Sequence, residues 1–350
     1  MKKRFKRHKS LGLFDQDFRL EKLTKLGDPL ARLNKGVEFE MFRKFLEEHL
    51  IKTTKGKGGR PPYDYVLMFK ILILQRYYNL SDDQSEFQIC DRLSFMRFLK
   101  LTLADDVPDS KTIWKFREQL TDLELVEPLF ELFLKELEAL NLVINAGKII
   151  DASFVEVPKQ RNNREDNKTI KEGNIPTSWE GKPNKKSQKD TDARWTKKRN
   201  QSYYGYKNHI KGCQKSKIIT KYTITDASVH DSQVIEDLLD KEKDAGEDFY
   251  ADSAYTGEAQ ETIIKEKGLI NQVCEKGYKN NPLSNAQKES NKEKSKVRVR
   301  IEHIFGFMET NMNGMQLKVI GAKRVASVIG LMNLTYNMFR KIQLLEISAR

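Results

Sequence analysis

The pattern of apolar residues changes at Asn145-Ala146-Gly147, and this change divides the chain into two regions of different architecture. Before it, the apolar residues recur at helical spacing. Residues 63–78 (YDYVLMFKILILQRYY) are apolar on nearly every face, which predicts a buried helix, and two prolines precede it as expected near a helix start. Ser81 or Asp82 would cap the next helix, and another helix would begin after Pro108. The first region is therefore predicted to be all helical.

After residue 147 the chain alternates between short β-branched apolar runs and helical patterns. "KIIDASFVEV", "YYGYKNHIKGC", "KIITKYTITDA", "DFYADSAY" and "LINQVC" predict strands, and "HDSQVIEDLLDKEKD" and "GEAQETIIKEKG" predict helices between the later strands. Two helices would close the chain, the first through Glu302 and the second over residues 323–345. This order predicts a mixed sheet with helices on its faces, and it is the order of the ribonuclease H-like topology.

The predicted organisation is an all-α N-terminal domain followed by an α/β domain. We expect a basic tail over residues 1–34, a helical, helix-turn-helix-like domain over 35–143 and the mixed-sheet domain over 144–350. Residues 159–200 carry 13 Lys and Arg against 6 Asp and Glu with almost no apolar residues, which predicts a basic flexible loop. A second such loop is predicted at about 275–296.

The charge of the chain indicates a polyanionic partner. Its 63 Lys and Arg against 50 Asp and Glu give a formal charge of +13, which favours nucleic acid, with an acidic membrane surface as the alternative. No apolar run approaches the roughly 18 residues that predict a membrane span. Three isolated cysteines and scattered histidines are typical of a reduced, cytoplasmic protein, so any metal here would have oxygen ligands. The helical region would bind DNA, or would be a plain bundle used for dimerisation.

Three carboxylates occupy special positions in this pattern. Asp151 lies within the first predicted strand, Asp252 ends the fourth and Glu302 lies on a helix. Aspartate is disfavoured in strands, and ligands of an open α/β sheet bind beyond the carboxyl ends of its strands. If these strands are neighbours, the three acids would converge on a site for Mg²⁺, which prefers hard oxygen ligands. The alternative is ordinary turn or edge aspartates and an intrahelical pair of Glu302 with Arg298, four residues before it.

The segment "RWTKKRNQSYYGYKNH" mixes cations with aromatic residues. Such a mixture would bind phosphates and stack on unpaired bases, or it would be a strand that packs against the sheet with solvated lysines. The candidates for DNA contacts here are Lys197, Lys198, Arg199 and Lys207. His230-Asp231 predicts a helix start, with Asp231 as its cap. The basic N-terminal stretch MKKRFKRHKS would bind DNA nonspecifically, or it would be a disordered terminus that increases solubility.

Six motifs in order resemble those of bacterial insertion-sequence transposases of the insertion sequence five type, which are DDE transposases with a ribonuclease H-like catalytic domain. They are "KIIDASFVEVP", "DARWTKKRNQSYYGYKNHI", "ITDASVHDSQVIEDLL", "ADSAYTGEA", "RVRIEHIFGFME" and "GLMNLTYNMFR". The helical stretches "RPPYDYVLMFKILILQRYYNLSDDQSEFQICDRLSFMRFL" and "VPDSKTIWKFREQL" are similar to that family's N-terminal domain. The resemblance spans about residues 35–345.

The resemblance implies that Asp151, Asp252 and Glu302 are the catalytic and metal-binding acids, and that His230-Asp231 is an accessory motif. Arg298 matches an arginine of related transposases, which makes Arg298 and Arg300 candidates for phosphate contacts. Those relatives often carry a tyrosine where this chain has Ser295, and a lysine where it has Glu309. A tyrosine that contacts the terminal base of the element is therefore not expected at position 295.

The implied activity is cleavage of the element's terminal inverted repeats by metal-dependent hydrolysis, followed by joining of the 3′-OH ends to target DNA. The implied cofactor is Mg²⁺, with Mn²⁺ as a second candidate, and the implied partners are double-stranded DNA of the element ends and of the target. A homodimer or larger assembly on DNA in the bacterial cytoplasm, associated with the nucleoid, is expected. The alternatives are an inactive or repressor-like DNA-binding descendant and a ribonuclease H-like nuclease without strand transfer.

Overall fold

The N-terminal region is helical throughout its described part. The computed structural model describes residues 12–51, 61–144, 146–198, 200–278 and 281–348. The α-helices of this region are α1 (Asp15–Lys25), α2 (Pro29–Gly36), α3 (Arg43–Leu50), α4 (Tyr65–Tyr77), α5 (Asp82–Asp91), α6 (Leu93–Leu99), α7 (Ser110–Asp122) and α8 (Val126–Ala139), with a 3₁₀ turn at Phe39–Phe42.

Capping side chains fix where these helices begin. The Asp64 side chain accepts a hydrogen bond from the Leu67 amide at the start of α4, whose residues are buried on nearly every face, as predicted. Ser81 caps α5 in a capping box with Gln84, which confirms Ser81 rather than Asp82 as the cap. The predicted helix after Pro108 is α7.

One mixed sheet forms the second region. Its strands are β1 (Lys148–Glu156), β2 (Arg194–Lys198), β3 (Gln201–Cys213), β4 (Ile219–Asp226), β5 (Asp248–Tyr250) and β6 (Ile270–Asn271). The order is β2-β3-β1-β5-β6, and β4 also pairs with β3. β1 is antiparallel to β3 and parallel to β5, and β5 is parallel to β6. The mixed sheet and the adjacency of the first and fourth predicted strands are confirmed, whereas β2 was not predicted.

The remaining helices cover and flank the sheet. They are α9 (Arg164–Lys171), α10 (Pro183–Ser187), α11 (Ile235–Leu238), α12 (Lys241–Asp244), α13 (Glu258–Glu266), α14 (Asn285–Thr310) and α15 (Ala322–Ser348), with 3₁₀ turns at Thr177–Trp179, Asp231–Val234 and Ser253–Tyr255. The single helix predicted after His230 is instead a 3₁₀ turn followed by α11 and α12. The two closing helices are confirmed.

Helix α15 joins the two regions into one hydrophobic core. It packs against α2, α4, α7 and α8 and also against β4 and α14. Gly330 permits this close packing, because a Cβ there would lie 2.6 Å from Tyr222 Oη and 2.7 Å from Val126 Cγ1. The buried Asn333 and Asn208 amides bind each other, and Asn337 binds both backbone groups of Ile219. The asparagines of "GLMNLTYNMFR" therefore fasten α15 to the sheet.

The segment predicted as a flexible loop over 159–200 is folded in its described part, which corrects that prediction. Trp179 is 2% exposed and its Nε1 donates to Asp166 Oδ2 at 3.3 Å. Asp190, 1% exposed, accepts hydrogen bonds from Tyr206 Oη at 2.7 Å and from the Gly321 amide at 2.8 Å. Asp166 thus stabilises the segment internally, and Asp190 attaches it to the sheet and to the turn before α15, so its lack of apolar residues does not prevent folding.

Two other predicted boundaries differ from the structure. Part of the second predicted loop is the N-terminal half of α14, which begins with a capping box formed by Ser284 and Gln287. The predicted tail over 1–34 includes α1 and α2, and Leu30 and Leu33 of α2 are fully buried. Residues 1–11 lie outside the described residues. Of the helices described, none is both long and apolar enough to cross a membrane.

Candidate active site

Asp151 and Asp252 lie at the same edge of the sheet. In the parallel pairing of β1 with β5, Ile149 is opposite Tyr250, and each aspartate lies two residues beyond that pair. Asp151 Oδ1 accepts a hydrogen bond from the Ala152 amide at 2.8 Å. Asp252 caps the 3₁₀ turn that follows β5, where its Oδ1 accepts from the Ala254 amide at 2.8 Å. The predicted neighbourhood of the two strand aspartates is therefore present.

The electrostatic environment of Asp151 disfavours a lone negative charge. The pKa of its carboxyl is raised to about 6, chiefly by burial, and the charge of Asp252 contributes in the same direction. The Ala152 amide and the cations Arg298 and Lys198 act in the opposite direction. Two nearby carboxylates repel each other when both are ionised, so a bound cation would stabilise the ionised pair.

Glu302 reaches this edge from α14. Ile301, Ile304 and Met308 are buried beneath the helix, and Val297 and Phe305 pack against the same core, as predicted from their spacing. Glu302 Oε1 is 3.1 Å from Arg298 Nη2, and Arg298 Nη1 is 3.4 Å from Asp151 Oδ2. The guanidinium therefore links the glutamate to the first aspartate. The prediction that docking directs Glu302 straight at both aspartates is corrected, since its side chain is 54% exposed and bound to Arg298.

The donor set has the chemistry of a hard divalent cation site. Asp151, Asp252 and Glu302 supply carboxylate oxygens, the ligands that Mg²⁺ and Mn²⁺ prefer. Within the described ranges, no group of three or more His, Cys, Asp or Glu side chains lies close enough together to hold a metal ion. Arg298 already supplies positive charge between Asp151 and Glu302. A site for three carboxylates thus requires the Glu302 side chain to leave Arg298.

The predicted DNA-binding cations differ in exposure. Lys197 and Lys198 are exposed at the end of β2, and Lys198 is close enough to Asp151 to lower its pKa. Arg199 lies outside the described residues. Lys207 is buried, and its Nζ is 2.6 Å from the Val229 carbonyl oxygen and 2.7 Å from Asp231 Oδ1. Its ammonium is thus part of an internal ion pair, so the expected free cation on the strand is absent at this position.

The remaining candidates have mainly local partners. Arg300 Nη1 donates to the Gln214 carbonyl oxygen at 3.3 Å. His230 rather than Asp231 caps the 3₁₀ turn that follows, because the His230 side chain accepts from the Ser232 amide. Asp231 instead binds Lys207, which corrects the predicted cap.

Two features of the site were missed by sequence reasoning. Arg298 was paired with Glu302 by its spacing, but its contact with Asp151 depends on how α14 is rotated on the sheet. Tyr255, three residues after Asp252, is buried beside the aspartates. The motif "ADSAYTG" contains this tyrosine three residues after Asp252, and this closeness to a candidate ligand could have identified it in the sequence.

Comparison with known proteins identifies the family. Residues 146–338 match the family described as "Transposase DDE domain". The chain belongs to the DDE transposase family. Residues 18–119 of the transposase match a second family, "Transposase domain (DUF772)", which covers most of the helical region. As a transposase, the protein is a DNA-cutting and DNA-joining enzyme with DNA as its partner.

A solved structure is also similar to the transposase. It is the cryo-EM structure of a piggyBac transposase synaptic complex with hairpin DNA, which is 11% identical. The match covers 92% of this chain and 76% of that chain, with a TM-score of 0.44.

Proposed function

We propose that the protein is a bacterial insertion-sequence transposase of the insertion sequence five type. It would bind the terminal inverted repeats of its element, cleave the ends by metal-dependent hydrolysis and join the 3′-OH ends to target DNA. The observation that carries this proposal is the adjacency of Asp151 and Asp252, each two residues past the last residue pair between β1 and β5, with Glu302 linked to Asp151 through Arg298. The strand order β4-β3-β1-β5-β6 supports a ribonuclease H-like catalytic domain.

Asp151, Asp252 and Glu302 would hold Mg²⁺ or Mn²⁺ at this edge. When bound, two such ions stabilise the attacking and the leaving oxygen of an in-line displacement at phosphorus. The mechanism needs no covalent protein–DNA bond, so it needs no serine or tyrosine nucleophile. The chain's own contribution is to hold two carboxylates side by side in a mostly buried setting, where electrostatic interactions are stronger than in water.

Arg298 has a second role in this proposal. It neutralises Asp151 and Glu302 in the absence of another cation, and it becomes available to a phosphate of the scissile strand when those carboxylates gain another partner. Lys197 and Lys198 at the exposed end of β2 would bind the flanking backbone, and Arg300 on α14 would do the same. These contacts position DNA without reading its sequence.

Recognition of the element ends is assigned to the helical region. The net charge of +13 favours DNA. The short helices α5 and α6 are separated by a single residue, and ten residues separate α6 from α7, an arrangement of short consecutive helices that supports a helix-turn-helix-like module. Because two ends must be joined in one reaction, a homodimer or larger assembly on DNA is proposed. In a bacterial cell this assembly would be cytoplasmic and associated with the nucleoid.

The test is an end-joining assay with labelled inverted-repeat DNA and a target plasmid. The wild-type chain is incubated with Mg²⁺, with Mn²⁺ and with EDTA, and Asp252→Ala is assayed beside it. Joined products that require the metal and are lost in the variant support the proposal. Nicking without joining indicates a nuclease that does not transpose.

The enzymatic proposal is contradicted if the protein neither nicks nor joins DNA with either metal and if Asp252→Ala binds the element ends as well as the wild type does. That result would indicate a repressor-like DNA-binding protein. The matched control is Asp237→Asn, which changes an exposed carboxylate of α11, outside the helical region, and is expected to keep wild-type joining.

A further inference from the structure

Tyr255 is a buried polar residue whose hydroxyl has no hydrogen-bond partner. Its side chain is 1% exposed, and its Oη binds no other group among the described residues. An unsatisfied buried hydroxyl destabilises the folded state, and such groups are uncommon in folded proteins. The unpaired hydroxyl therefore indicates a hydrogen bond that forms in another state of the site.

The 3₁₀ turn Ser253–Tyr255 fixes where this hydroxyl lies. Asp252 caps the turn, and the Tyr255 amide donates to the Asp252 carbonyl oxygen at 3.1 Å. The turn packs against the one at Asp231–Val234. The backbone that presents Asp252 at the sheet edge thus also places the tyrosine ring beneath that edge.

Three carboxylates lie near enough for their charges to act on the Tyr255 hydroxyl. Burial raises the pKa of the Tyr255 hydroxyl well above its usual value, and the charges of Asp151, Asp231 and Asp252 raise it further, with Asp151 the strongest. The phenol therefore stays protonated and has a hydrogen to donate. Asp231 is already bound by Lys207, whereas Asp151 has only the Ala152 amide and the long 3.4 Å contact with Arg298 among its described contacts.

We infer that Tyr255 is a positioning residue of the metal site, whose hydroxyl donates a hydrogen bond to the Asp151 carboxylate when a divalent cation draws that carboxylate away from Arg298. The inference rests on the proposed function. Hydrogen bonds from such supporting residues orient metal-binding carboxylates, and their loss typically lowers metal affinity 10- to 100-fold.

The test uses Tyr255→Phe in the full chain, because this change removes the hydroxyl and keeps the ring. Mn²⁺ affinity is measured by titration calorimetry, and thermal unfolding is measured separately in EDTA. We expect Mn²⁺ to bind about 10-fold more weakly. In EDTA the variant should unfold at the same or a higher temperature than the wild type, because the unsatisfied hydroxyl is gone.

Tyr336→Phe is the matched control. Tyr336 Oη donates to the Lys217 carbonyl oxygen at 2.7 Å, so this variant should lose stability and keep its Mn²⁺ affinity. A purely structural role of Tyr255 would give the same result as the control, and that result would overturn the inference. Unchanged Mn²⁺ affinity in Tyr255→Phe would overturn it as well.

Asp252→Asn separates this inference from the proposed function. If the wild type binds Mn²⁺ and Asp252→Asn abolishes binding while Tyr255→Phe does not change it, the metal site stands and the inference about Tyr255 is wrong. If Mn²⁺ affinity is the same in the wild type and in Asp252→Asn, the proposed metal site fails and the inference fails with it.

Discussion

Replacing Asp151 with asparagine is expected to stabilise the metal-free protein at pH 8 and to abolish DNA joining. Asparagine keeps the oxygen that accepts from the Ala152 amide, but it removes the charge that is buried beside Asp252. The Asp151 side chain is 19% exposed, so water screens that charge only in part. The variant thus distinguishes the effect of the ionised carboxylate on the free energy of unfolding from its role in the reaction.

The expected gain in stability follows from the pKa of Asp151. Raising this pKa from the ordinary 3.8 to about 6 corresponds to about 3 kcal/mol, since one pH unit is worth about 1.4 kcal/mol. Between these two pKa values the folded chain holds the proton and the unfolded chain does not. The stability of the wild type therefore falls as pH rises through this window, and the whole cost is present at pH 8.

The assay is urea unfolding of wild type and Asp151→Asn in EDTA at pH 5 and pH 8. The advantage of the variant should be up to about 3 kcal/mol at pH 8 and should shrink by about 1.4 kcal/mol at pH 5, where the wild-type carboxyl is mostly protonated. Asp83→Asn, at an exposed position, should stay within about 0.5 kcal/mol of wild type at both pH values. An Asp151→Asn protein no more stable than wild type at pH 8, or an advantage independent of pH, would refute the reasoning.

Three further changes test the fold that carries the site, each measured as the free energy of unfolding in urea. Asn333→Ala should cost about 1–3 kcal/mol because it leaves the buried Asn208 amide unpaired, and a double-mutant cycle with Asn208→Ala should recover part of that cost. Trp179→Ala should cost about 3–5 kcal/mol and expose residues 159–200 to protease, whereas an unfolded segment would show neither effect. Lys211→Met should cost about 1–3 kcal/mol because Asp244, 1% exposed, loses the nearer of its two ammonium partners and keeps Lys148 at 3.8 Å, and a neutral result would contradict the buried ion pair.

Apolar pattern was sufficient to predict the elements whose stability comes from apolar burial. The run around Ile149-Ile150 became β1, and the all-round apolar pattern of residues 65–77 became α4. The folded segment around Trp179 was not predicted, because its stability depends on hydrogen bonds of two buried carboxylates: Asp166 binds Trp179 within the segment, and Asp190 binds groups outside it. Composition gives no information on which polar residues will find such partners.

The site was predictable to the level of the backbone. The order of strands placed Asp151 and Asp252 at one edge, and the spacing of Ile301, Ile304 and Met308 predicted a docked helix. The direction of Glu302 was not predicted correctly, because its side chain is bound to Arg298 and not aimed at the two aspartates. Side-chain partners were not predictable to the same extent. The Arg298 side chain contacts Asp151 and the Lys207 side chain contacts Asp231 because of tertiary packing, which the local spacing of residues does not determine.

The most direct test of the central claim is strand transfer by Asp151→Asn, Asp252→Asn and Glu302→Gln with Mg²⁺ at pH 8. Each variant keeps the shape of the side chain and removes one ionised carboxylate. If the three acids act as one metal-binding set, each variant will bind element-end DNA with the affinity of wild type and will lose joining by roughly 10³-fold or more. Joining at close to the wild-type rate by any of the three would contradict the account.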